Sequence, residues 1–521
     1  MLHLQTQTVA YWEKFRVTDE DVEFIYNLLL EKETPLFQDE ISLALVEHRI
    51  RQEKESFERQ LAKGELFQPK NRYKVGQTLV FPAFNYATGT IVSERPGSNP
   101  EHGDFVVIEV EFANQRREFA SDLQTPHPLN VNGDDIVDAA TTLSPAELLD
   151  RYGDNLRLQL AQRLEREEDI VSIADRWFPR SLLIEVNVGN LNLAEAVLDL
   201  AGGGPLSSET LLKDAGLPDE VNKNLRIFSL DYALQEDARF DEVGPAGKVM
   251  WYLRRLEPPE VLDPPARLVY TPIEYNRSLL TAEMLVLEDD IDDEHSPLPD
   301  APADTHEATI TLIYPHRLAG TLPLSAKLRP LFPTAYQAER VRMILVDGQT
   351  GEEFPGWVVR KPRFVFGLME YYRKYRIPVG AYITLSQMDD PTRVMVTHAV
   401  RRPRTEWVRM AKVEGNRLVF DIQRRSIGAG YDDLMVISAD DLDAVEALWL
   451  EMNKGGRRLA DLLRDLVPEL AKLNPQGTVH AKTLYSGVNV LRRCPPGPIF
   501  ATLIERPEFD YVGDSYWRIN R

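Results

Sequence analysis

Two distant stretches of this sequence repeat one pattern. Phe240-Asp241-Glu242-Val243-Gly244 is followed by Trp251, and Phe509-Asp510-Tyr511-Val512-Gly513 by Trp517. Each stretch comes after a helix-like run and leads into strand-like text, VMWYLRRL in one copy and SYWRINR in the other. A glycine between two short apolar strands permits a tight turn, and strand alternation puts the Phe and Trp on one face. Those aromatic side chains leave water only if helices lie beneath them, with the turn projecting outward. Each copy is therefore expected to be a small helix-plus-hairpin unit. At 521 residues and roughly 100–200 per domain, the chain is expected to hold about three or four domains.

The text between the copies changes period several times. Thr18 and Asp21 open a first helix carrying Val22, Ile25, Leu28 and Leu29. After Thr34-Pro35 a second helix is predicted from Asp39 to Lys63. These two make up an N-terminal helical unit, 1–66, which reads equally as half of a helix-turn-helix or as a plain helical hairpin. From Tyr73 the period falls to two, with Gly76, Gly89, Gly97 and Gly103 as turns, which suggests a small β-barrel over 67–126. Ser144-Pro145-Ala146-Glu147 is a strong helix start and opens a helical connector, 144–189. The first hairpin unit spans 190–262, and its Gly202-Gly203-Gly204 lacks the Lys-Ser/Thr of a phosphate loop. A strand-rich domain is expected over 308–437, with one helix at Gly367–Tyr375, and a second hairpin unit over 440–521, where Leu459, Leu462, Leu463, Leu466, Leu470 and Leu473 share a buried face.

Charge separates these modules. There are 60 Lys and Arg against 82 Asp and Glu, a net −22, so uniform coating of nucleic acid or an anionic membrane is excluded. Nine acids between Glu288 and Glu307 meet no Lys or Arg, and Pro297, Pro299 and Pro302 interrupt them. This reads as a mobile acidic linker, 286–307. Between Pro355 and Arg425, by contrast, fifteen Lys or Arg face six Asp or Glu, with Trp357, Phe364, Tyr371, Tyr372, Tyr375 and Trp407 interleaved. Such a patch is the expected footprint of a phosphate backbone, unless carboxylates, including the acidic segment folding back, neutralise it.

The two hairpin units resemble the HARE-type winged-helix domains, a family associated with DNA and bacterial transcription, with a relative in the RNA polymerase delta subunit. The resemblance implies DNA contacts from Lys223 and Arg226 in the first copy. In the second, Lys482, Ser486, Asn489 and Arg493 recur on one helical face, where they suit phosphate and base-edge contacts or form a solvated face. Lys74-Val75-Gly76-Gln77 with Gly89-Thr90-Ile91-Val92 resembles the SH3-like barrels of the Tudor and CarD type, which bind protein or nucleic acid. Leu324–Pro333, Val346–Glu353, Arg363–Gly367 and Val379–Ile383 resemble the plant B-three-type DNA-binding pseudobarrel, although Ala381 stands where that family has an acid. That family inserts two arms into the major groove, which here implies Lys327 and Arg329 on one arm and Arg360, Lys361 and Arg363 on the other.

The expected fold is thus multi-domain α+β, with winged-helix domains, a small SH3-like barrel and a larger pseudobarrel. No nucleophile elbow, dinucleotide fingerprint or Walker loop is present, and Asp389-Asp390 and Asp432-Asp433 sit at turns that favour Asp for backbone reasons. A lone cysteine, Cys494, excludes an internal disulfide. No catalytic residue, metal or cofactor is expected, and neither is a membrane span or a secretion signal, so the setting is expected to be cytoplasmic. The expected partner is double-stranded DNA in a regulatory or defence-associated role. The rival is a protein-interaction scaffold associated with RNA polymerase, and a third reading is a nuclease specificity subunit.

Overall fold

A computed structural model describes residues 4–520, except 85, 98, 100, 101, 114, 128 and 131–142. It is a mixed α/β, multi-domain chain that divides into two units, Met1–Ile184 with Asn222–Phe228, and Glu185–Val221 with Ser229–Arg521.

The first unit begins with α1 (Val9–Glu13) and α2 (Asp19–Lys32), then β1 (Leu36–Phe37) and α3 (Gln38–Leu61). The α2 start is a full capping box, with Thr18 and Asp21 each serving the other's backbone N–H. A five-stranded meander follows: β2 (Glu65–Leu66), β3 (Thr78–Phe81), β4 (Ala87–Pro96), β5 (Val106–Glu111) and β6 (Arg116–Ser121). It is antiparallel except for the β2–β3 pair and closes over Phe67, Tyr73 and Phe81. The chain then returns as α4 (Pro145–Leu164), capped by Ser144 and Glu147, and a hairpin of β7 (Ile170–Ile173) and β8 (Arg176–Pro179).

This return corrects the expected division. β1 pairs with β8, and Trp12, Ile25, Leu29, Ile41 and Leu45 share one core with Leu148, Leu156, Leu160, Leu164 and Trp177. The N-terminal helical unit and the helical connector are therefore two halves of one body, with the meander inserted between them.

The second unit opens with α5 (Val188–Leu200), β9 (Leu206–Ser207), α6 (Ser208–Leu212), α7 (Lys223–Glu236, whose first turns belong to the other unit), β10 (Phe240–Glu242) and β11 (Met250–Leu253). α8 (Pro259–Leu262) and α9 (Ala282–Ile291) lead into a seven-stranded sheet. Its elements in chain order are β12 (Glu307–Thr311), α10 (Tyr314–Ala319), β13 (Thr321–Pro323), β14 (Arg340–Asp347), β15 (Glu353–Val359), β16 (Phe364–Phe366), α11 (Met369–Lys374), β17 (Tyr382–Gln387) and β18 (Arg393–His398). The sheet curls into half a barrel in the order β12-β17-β18-β14-β15-β16-β13, and only β14 and β18 run parallel.

The expected strand-rich domain ends early. β19 (Val400–Glu414) and β20 (Arg417–Ala429) form a long ribbon that joins β21 (Ile437–Ala439) in a separate sheet. Ala411, Leu418, Phe420 and Ile437 of this sheet sit in the core of the C-terminal helices. Those helices and strands are α12 (Leu442–Lys454), α13 (Leu459–Ala471), β22 (Val479–His480), α14 (Ala481–Leu491), α15 (Pro496–Glu505), β23 (Phe509–Gly513) and β24 (Tyr516–Ile519). The leucines of α13 share the expected buried face.

Among the described residues one topology thus occurs three times: helix, strand, two helices, then a hairpin whose second strand lies between the other two. The sheets are β1-β8-β7, β9-β11-β10 and β22-β24-β23, and the middle strand carries Trp177, Trp251 or Trp517, each buried.

Candidate nucleic-acid interface

The face of α14 does not meet solvent. Ser486, Asn489 and Arg493 are all buried, which corrects their expected role in reading DNA. Ser486 donates to the Met435 carbonyl at 2.7 Å, and Asn489 donates to the Tyr485 and Cys494 carbonyls at 2.9 Å each. Lys482 is held 2.9 Å from Asp432 and is also paired with Asp290. α15 is equally covered: a Cβ on Gly497 would lie 2.3 Å from the Tyr275 hydroxyl. Cys494 is buried, and its thiol is pushed up to about 12.

The acidic stretch is what these groups meet. Glu288, Asp292, Asp293 and Glu294 are buried, so 286–307 is not a solvated linker. Arg493 lies 2.7 Å from both Asp293 and Glu294, Tyr485 donates to Asp293 at 2.6 Å, and His316 sits 3.1 Å from Glu294. Burial alone would push the Glu294 carboxyl up, but Arg493 and His316 outweigh it and hold the carboxyl well below the usual carboxylate range. Glu288 pairs with Arg277 at 2.7 Å and Asp300 with Arg329 at 2.9 Å. The sequence hides this because the partners lie up to two hundred residues away.

Four of the five residues expected on the sheet's arms do converge. Arg329, on the β13–β14 connection, and Arg360, Lys361 and Arg363, on the β15–β16 turn, line one cleft of about 780 Å³ together with Phe332 and Pro333. Arg360 donates from Nη1 to the Ala338 carbonyl and Arg363 from Nη1 to the Glu294 carbonyl, each at 2.9 Å. Carbonyl acceptors fix a guanidinium without cancelling its charge, which leaves further N–H donors for an anion. Arg363 occupies the left-handed region at φ 61°, and its carbonyl accepts from Leu324 N–H at 2.8 Å, so the turn is firmly set. Lys361 is exposed, with no ion pair among the described residues. Asp300 and Glu339 also line the cleft; Asp300 is taken by Arg329 and Glu339 by Arg340. Lys327 lies outside it, donating to the Asp289 carbonyl at 2.5 Å.

The rest of the basic patch divides. Lys374 is bound to Asp347 and Glu352, Arg373 to Glu370, Arg393 to Glu353, Lys412 to Asp421 and Arg425 to Asp440. Arg401, Arg402 and Arg404 are exposed on the ribbon, with no ion pair among the described residues. The cleft lies where β14 starts, since Arg340 pairs with Val359. The ribbon springs from the other end, where Asp347 pairs with Val396 just before Val400. One basic run in the sequence is therefore two surfaces.

The helices before the other hairpins offer little positive charge. α4 exposes Glu147, Asp150 and Asp154 around Arg151. On α7, Lys223 and Asn224 are exposed, while Arg226 is half-buried. The hairpin turn after β10 does not project outward. Ala246 N–H donates to the Thr334 carbonyl at 2.6 Å, and Val243 packs with Trp357 and Phe364. Asp432 and Asp390 serve their turns, accepting from the Leu434 and Thr392 N–H groups at 2.8 and 2.9 Å.

Against known family models, curated proteins and solved structures, the chain gives no match in any of the three comparisons. Among the described residues no helix is long and apolar enough to cross a membrane.

Proposed function

We propose that this chain is a non-enzymatic, cytoplasmic DNA-binding protein of regulatory or defence-associated role, whose half-barrel sheet holds duplex DNA. In this reading the sheet is a pseudobarrel of the B-three type, and the β13–β14 connection and β15–β16 turn are its two arms. The meander is an SH3-like barrel. The three recurring units are winged-helix domains of the HARE type used as frame. The observation that carries the reading is the cleft, where Arg329, Arg360, Lys361 and Arg363 converge from two segments and two of the guanidinium groups are held by carbonyls. In a −22 chain such local positive charge suits a polyanion held at the cleft rather than along the whole surface.

The test is binding of a random duplex to the full chain by fluorescence anisotropy across a salt series. Four phosphate contacts give a slope of about −3.6 in log K against log salt, a loss of about 100-fold between 50 and 200 mM. Lys361→Glu, at an exposed side chain, is expected to weaken binding at least tenfold with an unchanged melting temperature. Duplex binding that Lys361→Glu leaves intact, or no binding at low salt, would contradict the reading.

A second reading, a scaffold associated with RNA polymerase, is favoured by one helix. α5 exposes Leu193 and Leu200 on one face, the latter 90% accessible, an apolar pair suited to a protein partner. Pull-down with RNA polymerase, lost in Leu193→Asp/Leu200→Asp, is the result that would support it.

A further inference from the structure

The ribbon carries a group of arginines with no ion pair among the described residues. Pro403 has no N–H for the ladder, and the pairing slips between Val400 and Arg404, so this end of β19 bulges away from its partner. Arg401, Arg402 and Arg404 surround the bulge, all exposed and without a carboxylate partner among the described residues.

Next along the strand stands Trp407. It is 62% exposed, whereas the other six tryptophans are buried or half-buried. Its cross-strand neighbour is Arg424, whose guanidinium carbon lies 4.7 Å from the indole centroid. Exposing an indole gives up the stabilisation that burial would bring, and here the exposed ring has the Arg424 guanidinium against it. Trp407 and Ile422 also line a cavity of about 270 Å³, together with Asn474, Thr478 and His480.

We infer that the β19–β20 ribbon is a binding site for single-stranded nucleic acid, with a base stacked on Trp407 and phosphates on Arg401, Arg402 and Arg404. A base inside a duplex has both faces covered by its neighbours, so an exposed indole can stack only on an unpaired base. The positive groups precede the ring on the same strand, as a backbone running alongside its bases requires. This site lies at the opposite end of the sheet from the cleft and does not depend on the duplex reading.

The experiment titrates the full chain with an oligothymidylate of about twelve nucleotides at low salt, following tryptophan fluorescence, with anisotropy of a labelled copy in parallel. The expected result is saturable quenching, absent in Trp407→Phe, whose ring still stacks and which binds within a fewfold of wild type. Trp407→Ala is expected to weaken binding about tenfold. Replacing Arg401, Arg402 and Arg404 with Ala should flatten the salt slope by about two. Lys361→Glu should leave the Trp407 quenching unchanged, so failure of the cleft and failure of the ribbon are separable. Binding that Trp407→Ala leaves intact, an abasic strand bound as tightly as oligothymidylate, or equal quenching by polyglutamate would each overturn the proposal, the last in favour of an acidic peptide. Trp407 is exposed, so loss of binding in its variants cannot be put down to an unfolded core.

Discussion

Arg493 shows how residue type and residue role part company. Its place in the sequence, at i+11 from Lys482 on one helical face, suits a phosphate. In the fold it sits buried between Asp293 and Glu294. Removing one partner of such a network leaves charge stranded in low dielectric, so Arg493→Met is expected to cost about 3–5 kcal/mol in urea denaturation. A DNA-reading arginine would behave in the opposite way, weakening binding at little cost in stability. At this scale the sequence was legible where the interaction is local: Thr18 and Asp21, Ser144 and Glu147, and the leucines of α13 behave as their spacing says. It was illegible where a charge finds its partner across the chain, because nothing within a few residues of Asp293 signals Arg493.

Glu242 marks the same division at the scale of an element. The hairpin containing it was readable from Phe240, Gly244 and Trp251, and Gly244 is needed, since a Cβ there would meet the Lys248 carbonyl at 1.9 Å. What the hairpin leans on was not readable. Burial pushes the Glu242 carboxyl up to about 7, against hydrogen bonds from Gly244 and Met250 N–H. The native state therefore keeps a proton that the unfolded chain releases near pH 4.3. Stability from this group is present below that value and is lost as pH rises through about 7. Glu242→Gln is expected to match wild type near pH 4 and to exceed it at pH 8 by roughly 1–3 kcal/mol, read from melting temperatures at the two pH values. Glu257, pushed up to about 8 by burial and then by Asp241, shifts stability the same way.

For the whole molecule, the repeat in the sequence pointed to two hairpin units and the fold contains three such topologies. The unit around Trp177 is hidden in the sequence because Ile170 replaces the phenylalanine, Ala174 and Asp175 form the turn in place of a glycine, and the inserted meander separates its halves. Trp177 was the signal that could have revealed it. The −22 charge also reads differently once folded: part of the acid lies inside, neutralising basic groups that the sequence had offered to DNA. Within the basic run of 355–425, the cleft turn and the ribbon each keep exposed cations with no ion pair among the described residues. Hydrogen–deuterium exchange of the full chain with and without a random duplex tests the central claim most directly. The account predicts slowed exchange at 329–339 and 360–363, with α4, the first turn of α7, α14 and α15 unchanged. Protection confined to those helices, with the cleft amides unaffected, would contradict it.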